Sequence, residues 1–289
     1  MQSGPALKPW PQDTTGVEGA SRAFARHRQA SLVAIGPANA IGDQAGRRTL
    51  GDRGGEPCRR GVDCKAMQTR PEEIAANLEA INKRIERACD AARRDPNEVT
   101  LIAVTKTVGV DDVRAAYDLG LRNFGESRLQ ESLPKLAALP PDVVWHFIGR
   151  LQSNKARKAA ENFSCVHTLE NEAQLREIDK ARQKIDVLVE INIGDEPQKS
   201  GIQAKMLDEF VQTVAQYKMV RFRGLMTVGP AILNAELMRP YFQRMRELRE
   251  SVGGEWLSMG MSQDFEVAIQ EGATHVRIGT ALFGERAHN

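Results

Sequence analysis

Residues 100–106 have the sequence Thr-Leu-Ile-Ala-Val-Thr-Lys, a short apolar run that ends on a lysine. A run of this length that follows turn-forming residues such as Asp95-Pro96-Asn97 is typical of a buried β-strand. Similar runs recur along the rest of the chain. The predicted strands are 100–105, 122–125, 144–148, 165–169, 186–192, 220–228, 256–259 and 275–278.

Helical segments separate these strands. The predicted helices include 111–119, 171–183, 203–217, 237–251 and 264–271, and a further helix starts at Asn154 and Lys155. Strands that alternate with helices in this way are what a single (β/α)8 TIM barrel, an α/β fold, requires. A doubly wound open sheet is the structural alternative. The close spacing of the strands within residues 100–278 favours the barrel.

An additional helix precedes the first strand. It begins near Thr69 or Pro71, with acidic residues in its first turn, where the helix dipole favours them. One apolar stripe runs along this lead helix, formed by Ile74, Leu78, Ile81, Ile85 and Cys89. The stripe indicates that one face is buried, and we expect the lead helix to close the floor of the barrel.

Composition narrows the class of protein. The chain has 289 residues and a formal net charge of +2, which argues against a surface that coats nucleic acid. No apolar run approaches the ~20 residues of a membrane span. The four cysteines, Cys58, Cys64, Cys89 and Cys165, contain no CxxC pair. This usage predicts a reducing, cytoplasmic location and no structural zinc.

The average composition hides a boundary at Met67. Residues 1–66 hold 10 of the 24 glycines and 10 Lys+Arg against 6 Asp+Glu, without a sustained apolar period. We therefore predict two parts: a disordered N-terminal extension over 1–66 and the barrel over 67–289. The extension is best explained by an upstream start, with Met67 as the usual first residue. A targeting peptide and a small ligand-binding appendage are the alternatives.

In a barrel of this type, chemistry is expected where the strands end. The first strand ends on Lys106. Such a lysine most often extends its ammonium group into solvent. If it projects into the barrel mouth instead, desolvation lowers its pKa and makes it an amine nucleophile for an aldehyde.

The ends of the last two strands share a second pattern. Each strand is followed by glycine and a hydroxyl residue: Gly260 and Ser262 after the seventh strand, Gly279 and Thr280 after the eighth. We expect Ser262 to start a helix that contains Asp264. Glycine permits close backbone approach, and the N–H groups at a helix start bind phosphate. Ser262 alone is more simply a helix cap, but two such turns on adjacent strands indicate a phosphate site.

An aldehyde-reactive lysine beside a phosphate site points to pyridoxal phosphate. The strand ends and turns carry an ordered series of motifs that supports this prediction. The series is Val104-Thr105-Lys106, Asn123-Phe124-Gly125-Glu126, Trp145-His146-Phe147-Ile148-Gly149, Leu151-Gln152-Ser153-Asn154-Lys155, Lys199-Ser200-Gly201, Arg223-Gly224-Leu225-Met226, Ser258 to Ser262, and Val276-Arg277-Ile278-Gly279. In this order the motifs resemble those of the pyridoxal phosphate homeostasis proteins, the YggS/PROSC family, over residues 67–289.

The resemblance implies a barrel similar to the N-terminal domain of alanine racemase, with a Schiff base on Lys106. It implies phosphate binding by Ser262, Gly279 and Thr280, and it places Arg277 near the ring nitrogen or the phosphate. Further candidate cofactor-binding residues are Met261, Ser127, His146 and Met226. The family usually continues Phe-Gly-Glu with Asn-Tyr, whereas this chain has Ser127 and Arg128.

Two of these candidates have simpler explanations as well. His146 alternates with Trp145 and Phe147 and is more often a hydrogen-bonded core histidine than a base. Met226 ends the sixth strand and is expected to pack the barrel.

The resemblance implies a non-catalytic carrier and regulator in intracellular vitamin B6 homeostasis, without a catalytic residue or a metal. If Arg277 faces the pyridine nitrogen, its fixed charge disfavours ring protonation and weakens the electron sink. Tyr117, Tyr217 and Tyr241 fall in predicted helices, so none supplies a second base at the mouth.

Two enzymatic alternatives remain open. One is a one-domain racemase or lyase that uses pyridoxal phosphate, and the other is a Schiff-base aldolase without that cofactor. The expected partners of the carrier are pyridoxal phosphate and recipient apo-enzymes, with no nucleic acid and no membrane, and the expected state is a monomer.

Overall fold

The protein is described by a computed structural model that covers residues 69–285. Eight parallel strands close into one barrel in sequence order, and the last strand pairs with the first. The strands are β1 (Thr100–Val104), β2 (Asn123–Glu126), β3 (Val144–Phe147), β4 (Cys165–Leu169), β5 (Ile185–Glu190), β6 (Val220–Met226), β7 (Trp256–Ser258) and β8 (His275–Ile278). The predicted TIM barrel is therefore confirmed. The extension predicted for residues 1–66 lies outside the described residues.

Helices follow the strands and form an outer layer. They are α1 (Arg70–Ala92), α2 (Val110–Asp118), α3 (Leu129–Ala138), α4 (Ser153–Asn162), α5 (Glu172–Ile178), α6 (Leu207–Val214), α7 (Arg239–Val252), α8 (Phe265–Gln270) and α9 (Thr280–Phe283). The sequence analysis gave no bounds for α3, which has Pro134 in its interior, where proline disfavours a helix. Among the described residues, no helix is both long and apolar enough to cross a membrane.

The lead helix α1 has the predicted stripe but not the predicted position. Ile74, Leu78, Ile81, Ile85 and Cys89 are all buried. The helix packs against α2, α8 and α9 in the outer layer, so the expectation that it closes the barrel floor is wrong. Asn77 Nδ2 donates to the carbonyl of Leu282 at 3.0 Å, and Arg84 pairs with Glu266 at 2.8 Å. Since α9 is a single short turn, α1 fills the outer position beside β8 and β1.

The strands separate two kinds of packing. Outward side chains join the helices in one large apolar core, to which Val166, Val187 and Leu225 belong. Inside the barrel, Cys165, Leu188 and Met226 form a small separate apolar cluster. Met226 is fully buried there, as expected of barrel packing. Since alternate residues of a strand face opposite sides, the positions that share the inward face with this cluster determine what the barrel presents at its mouth.

Candidate functional site

Lys106 lies just beyond the carboxyl end of β1 and is exposed. It occupies a turn in which the amide of Val108 donates to the carbonyl of Thr105 at 3.0 Å. Thr107, the next residue, has a φ of 65° and donates its hydroxyl to the carbonyl of Lys106 at 2.5 Å. A left-handed conformation is uncommon for a β-branched residue. The turn that carries Lys106 is therefore held in an unfavourable backbone geometry by its surroundings.

A buried ion pair lies directly beneath this turn. Lys135 of α3 is 2.7 Å from Glu126 Oε1, and its ammonium group also donates to the carbonyl of Thr105 at 2.6 Å. The Thr105 hydroxyl donates to the same Glu126 oxygen at 2.7 Å. The sequence analysis did not single out Lys135, because a lysine in a helix is normally assigned to the solvent side.

The loops after β7 and β8 lie side by side. Ser262 Oγ accepts a hydrogen bond from the amide of Ala281, at 3.3 Å, so the two loops are joined directly. Gly260 has a φ of 89°, and a Cβ there would come within 2.6 Å of Ala268. The backbone needs glycine at this point. The residue types predicted for a phosphate site are thus brought together.

Two details of these loops differ from expectation. Ser262 does not start a helix: α8 begins at Phe265, with Asp264 at its N-cap, and Ser262 lies in the preceding turn. Asp264 instead accepts from the amide of Met261 at 2.7 Å, which tightens the turn. Met261 is exposed at the rim. The sequence pattern located the turn correctly, but the three residues after Met261 belong to the turn, and the helix starts only after them.

The second loop has the predicted form. Gly279 caps α9, the short helix that begins at Thr280. The amides of Leu282 and Phe283 donate to the Gly279 carbonyl at 3.0 and 2.9 Å, and Thr280 is exposed. A Cβ at Gly279 would lie 3.4 Å from Val104, so this loop passes close to the end of β1, the strand that precedes Lys106.

Arg277 points into the barrel and is almost fully buried. Its guanidinium group donates to Ser258 Oγ at 2.7 Å and to the carbonyl of Thr227 at 2.8 Å. Burial lowers the pKa of Arg277 to about 10, while the negative charges of Glu190 and Asp264 act in the opposite direction. At neutral pH the residue is therefore a buried cation held in one orientation.

A chain of hydrogen bonds runs across the barrel interior towards Arg277. His146 Nε2 lies 3.0 Å from Asn123 Oδ1, His146 Nδ1 lies 3.0 Å from His167 Nε2, and His167 Nδ1 lies 3.0 Å from Ser258 Oγ. Burial lowers the pKa of His146 to about 3 and that of His167 well below its ordinary value. Both rings are therefore neutral at physiological pH.

The contact at Asn123 sets the direction of every bond in this chain. Its carbonyl oxygen can only accept, so His146 carries its hydrogen on Nε2 and accepts on Nδ1. His167 must then donate from Nε2 and accept on Nδ1. Ser258 consequently donates to His167 and keeps a lone pair for Arg277. This matches the expectation that His146 is a hydrogen-bonded core residue.

His146, Cys165 and His167 also place their ligand atoms within 4.8 Å of one another. Such a group could hold a metal by distance alone. Both nitrogens of both rings are already used in the hydrogen-bond chain, however, so a metal would have to break it. The geometry is explained by the hydrogen bonds.

Glu190 ends β5, opposite β1 in the strand order of the barrel. It pairs in register with Met226, whose side chain faces inward, so Glu190 faces inward as well. Burial raises the pKa of Glu190 to about 7, and Glu170 adds to the rise, whereas Arg277 and Arg150 oppose it. A carboxyl group that titrates near neutral pH thus lies at the mouth, and the sequence analysis missed it.

A cleft of about 640 Å³ opens at the ends of β2 to β4. Ser127, Arg150 and Lys155 are among its lining residues. Arg128, which also borders it, is exposed and pairs with Glu131 at 2.7 Å. The barrel mouth is therefore open beside Ser127, next to the strand that leads to Lys106.

Besides Lys135, the sequence analysis assigned no role to Glu190, His167 and Ser258. These three are polar residues at inward positions of strands that otherwise look apolar. An apolar strand interrupted by polar residues at every second position would have indicated a polar barrel interior.

Comparison with known proteins identifies close relatives of this arrangement. The sequence profile of the alanine racemase N-terminal domain matches residues 76–287. A pyridoxal phosphate homeostasis protein of Aquifex aeolicus is 43% identical over 222 residues, which is 73% of this chain and 97% of that protein. One from Pseudomonas aeruginosa is 43% identical over 74% of this chain and 96% of that protein.

Among solved structures, PipY of Synechococcus elongatus, determined with PLP bound, superimposes with a TM-score of 0.63. It is 33% identical, and the match covers 73% of this chain and all of that one, 100%.

Proposed function

The chain belongs to the pyridoxal phosphate homeostasis proteins, and we propose that it holds pyridoxal phosphate as a Schiff base on Lys106 without robust catalysis. The observation that carries the proposal is the meeting of two features at one mouth. Lys106 follows β1, and Gly279 follows the neighbouring strand β8, close enough that a Cβ at Gly279 would lie 3.4 Å from Val104. An amine and a turn with the residue types proposed for phosphate binding thus lie on adjacent strands.

The residues present fit this cofactor. Gly260 and Gly279 keep the backbone of two adjacent loops free of side chains, and Ser262 joins the loops through Ala281. We propose that the amide of Thr280 and its exposed hydroxyl, at the start of α9, donate to the phosphate. When bound, pyridoxal phosphate supplies an aldehyde, whose carbon forms a C=N bond with a neutral lysine amine as one water is lost.

We assign the other rim and interior residues supporting roles. Ser127 and Met261 border the mouth, and His146 and Met226 lie beneath it. Arg277 supplies a fixed positive charge inside the barrel. A cation beside a pyridine nitrogen disfavours ring protonation, which weakens the ring as an electron sink. If Arg277 faces the pyridine nitrogen, its charge favours holding the cofactor over carbanion chemistry.

One observation favours the alternative of a racemase or lyase. The sequence offers no tyrosine as a base at the mouth, but Glu190 lies there, and its pKa of about 7 suits proton transfer. Exchange of the Cα hydrogen of alanine in deuterated water distinguishes the two functions. Rapid, saturable exchange that Glu190→Gln abolishes would establish the enzyme, whereas exchange no faster than with free pyridoxal phosphate supports the carrier.

The direct test is an absorption spectrum with pyridoxal phosphate, followed by borohydride reduction and peptide mapping. We expect a visible band and a modified Lys106. Lys106→Ala should lose both, and Lys158→Ala, which changes an exposed lysine of α4, should keep both. A protein that stays colourless, or that is modified at another lysine, would refute the proposal.

The proposal extends to partners and location. We propose that apo-enzymes that use pyridoxal phosphate receive it from this protein, that the protein is a monomer, and that it works in the cytoplasm. Cysteine usage supports the location: Cys89 and Cys165 are free thiols. If an apo-enzyme gains its cofactor faster from this protein than from free pyridoxal phosphate at equal concentration, direct handover is supported. Sedimentation measures the molecular mass in solution and so tests the monomer.

A further inference from the structure

We infer that Thr105, Glu126 and Lys135 form a buried positioning cluster that fixes the end of β1 and sets the direction in which Lys106 presents its amine. The inference rests on the proposed function, because it concerns the lysine that would react. It assigns a role to Lys135 and Glu126, neither of which belongs to the loops after β7 and β8.

The cluster is tied together by four short contacts. Lys135 Nζ donates to Glu126 Oε1 at 2.7 Å and to the Thr105 carbonyl at 2.6 Å. The Thr105 hydroxyl donates to Glu126 Oε1 at 2.7 Å, and the Thr105 amide donates to the carbonyl of Gly125 at 2.9 Å. Thr105 is therefore held through its amide, its carbonyl and its side chain, and Lys106 is the next residue.

Stability does not explain this arrangement. Glu126 is 1% exposed and Lys135 is 7% exposed, so both charges have lost their water. A buried ion pair commonly adds little to stability over a well-packed apolar pair of similar volume. An apolar pair, however, cannot donate to the Thr105 carbonyl. The bond from Lys135 to the backbone is what the charged pair adds.

That bond acts on the turn of Lys106. The Thr105 carbonyl accepts from both Lys135 Nζ and the Val108 amide, so it anchors the turn that spans Lys106 and Thr107. Thr107 is left-handed, with a φ of 65°. Such a conformation persists only where neighbouring contacts impose it. Without Lys135 the turn relaxes, and the amine of Lys106 samples directions away from the mouth.

We expect that the charged pair can be removed with little loss of stability. Lys135→Met removes the hydrogen bond to the Thr105 carbonyl and leaves Glu126 buried without its cationic partner. The double variant Glu126→Leu with Lys135→Met removes both charges together. We expect the double variant to melt close to the wild type and to need roughly tenfold more pyridoxal phosphate for half-saturation of the visible band. Lys158→Met, an exposed lysine outside the cluster, should leave both values unchanged.

Thr105 offers a matched pair. Thr105→Val keeps the shape and removes the hydroxyl, and Thr105→Ser keeps the hydroxyl. We expect Thr105→Val to weaken cofactor binding and Thr105→Ser to retain it. If packing alone mattered, Thr105→Val would be the better tolerated of the two.

Amide hydrogen exchange tests the effect of the same cluster on the Lys106 turn in the absence of cofactor. The Val108 amide donates to the Thr105 carbonyl, and its exchange should accelerate in the double variant while amides of α7 remain protected. If the double variant folds, binds with wild-type half-saturation and protects Val108 equally, the inference is overturned. If the wild type itself shows no modification of Lys106 by borohydride, the proposed function fails instead, and the exchange result still decides whether the cluster holds the turn.

Discussion

The inside of the barrel and the layer between strands and helices are equally buried but differ in composition. The outer layer is packed from aliphatic and aromatic side chains such as Phe242, Leu175 and Val276. The interior contains His146, His167 and a buried arginine that are linked by hydrogen bonds. The comparison shows that the outer layer supplies the free energy of folding, whereas the interior supplies orientation.

The physical difference lies in what burial does to each group. An apolar side chain gains about 25 cal/mol for each Å² removed from water. A polar group loses its hydration and only recovers the loss through hydrogen bonds with correct geometry. A change in the outer layer should therefore alter stability without altering the mouth, whereas a change in the interior should act on cofactor binding and on the pH dependence of stability. The predictions that follow test this separation.

The largest expected effect is on the outer layer. Phe242 of α7 is 1% exposed, and Phe242→Ala should lower the free energy of unfolding by about 3–5 kcal/mol, because it leaves a cavity. Half-saturation by pyridoxal phosphate should not change. Denaturant unfolding and absorbance titration measure the two quantities. Leu237→Ala, at a residue 60% exposed, is the control and should change stability by under about 0.5 kcal/mol. A parallel loss of binding in Phe242→Ala would break the comparison.

Glu190 should make stability depend on pH in the opposite sense to an ordinary carboxylate. Its pKa is raised to about 7 in the folded protein, from an ordinary value of 4.5. The folded state thus holds a proton that the unfolded state releases, so the contribution of Glu190 to stability is lost as pH rises from about 4.5 to about 7.

Glu190→Gln should remove this loss, and the variant should gain up to about 3 kcal/mol over the wild type between pH 4 and pH 8. Denaturant unfolding across that range measures the difference. Glu131→Gln, at an exposed residue on α3, serves as the control. A constant difference between Glu190→Gln and the wild type would show that Glu190 titrates normally.

The variant Arg277→Met tests whether a change in the barrel interior affects cofactor binding more than stability. Burial lowers the pKa of Arg277 to about 10, so removing the cation recovers desolvation energy, while Ser258 and Thr227 lose a donor. These effects oppose each other, and we expect stability to change by less than about 2 kcal/mol.

Pyridoxal phosphate binding should weaken roughly tenfold or more in Arg277→Met, because we propose that Arg277 places its charge beside the cofactor. Arg157→Met, an exposed arginine of α4, is the control for both measurements. Unchanged binding in Arg277→Met would exclude Arg277 from the site.

The smallest expected effect is an absence of change. Nitrogen NMR of the histidine rings should show His146 and His167 with hydrogen on Nε2 and no titration between pH 5 and pH 8, because burial lowers the pKa of His146 to about 3 and that of His167 well below its ordinary value. Ser258→Ala removes the donor to His167 and should shift its Nδ1 signal alone. Hydrogen on Nδ1 of either ring, or titration within this range, would contradict the bond directions assigned from Asn123.

Much of the fold could be predicted because it depends on local pattern. All eight strands lie where the apolar runs predicted them, since a strand buried on both faces leaves a continuous apolar signal. The helix α3 was given no bounds in the sequence analysis, and it contains Pro134, which is locally unfavourable in a helix interior. The stripe on α1 predicted a buried face correctly, but a stripe does not specify which layer will cover it.

The site was predictable only in part, for the same reason. Lys106, Gly260 and Gly279 stand at strand ends, where position in a barrel already suggests a role. Lys135 and Glu190 carry no local signal, because their significance comes from residues distant in sequence.

The sequence by itself determined the barrel, the strand ends and the family, because each depends on residue type and spacing along the chain. Only the tertiary structure decided that Lys135 bonds to the backbone before Lys106, that His146 and His167 form one directed chain to Arg277, and that Glu190 is a titrating group opposite β1. Hydrogen-bond direction and desolvation depend on which groups lie close together in space. Residues distant in the sequence come into contact only when the barrel closes.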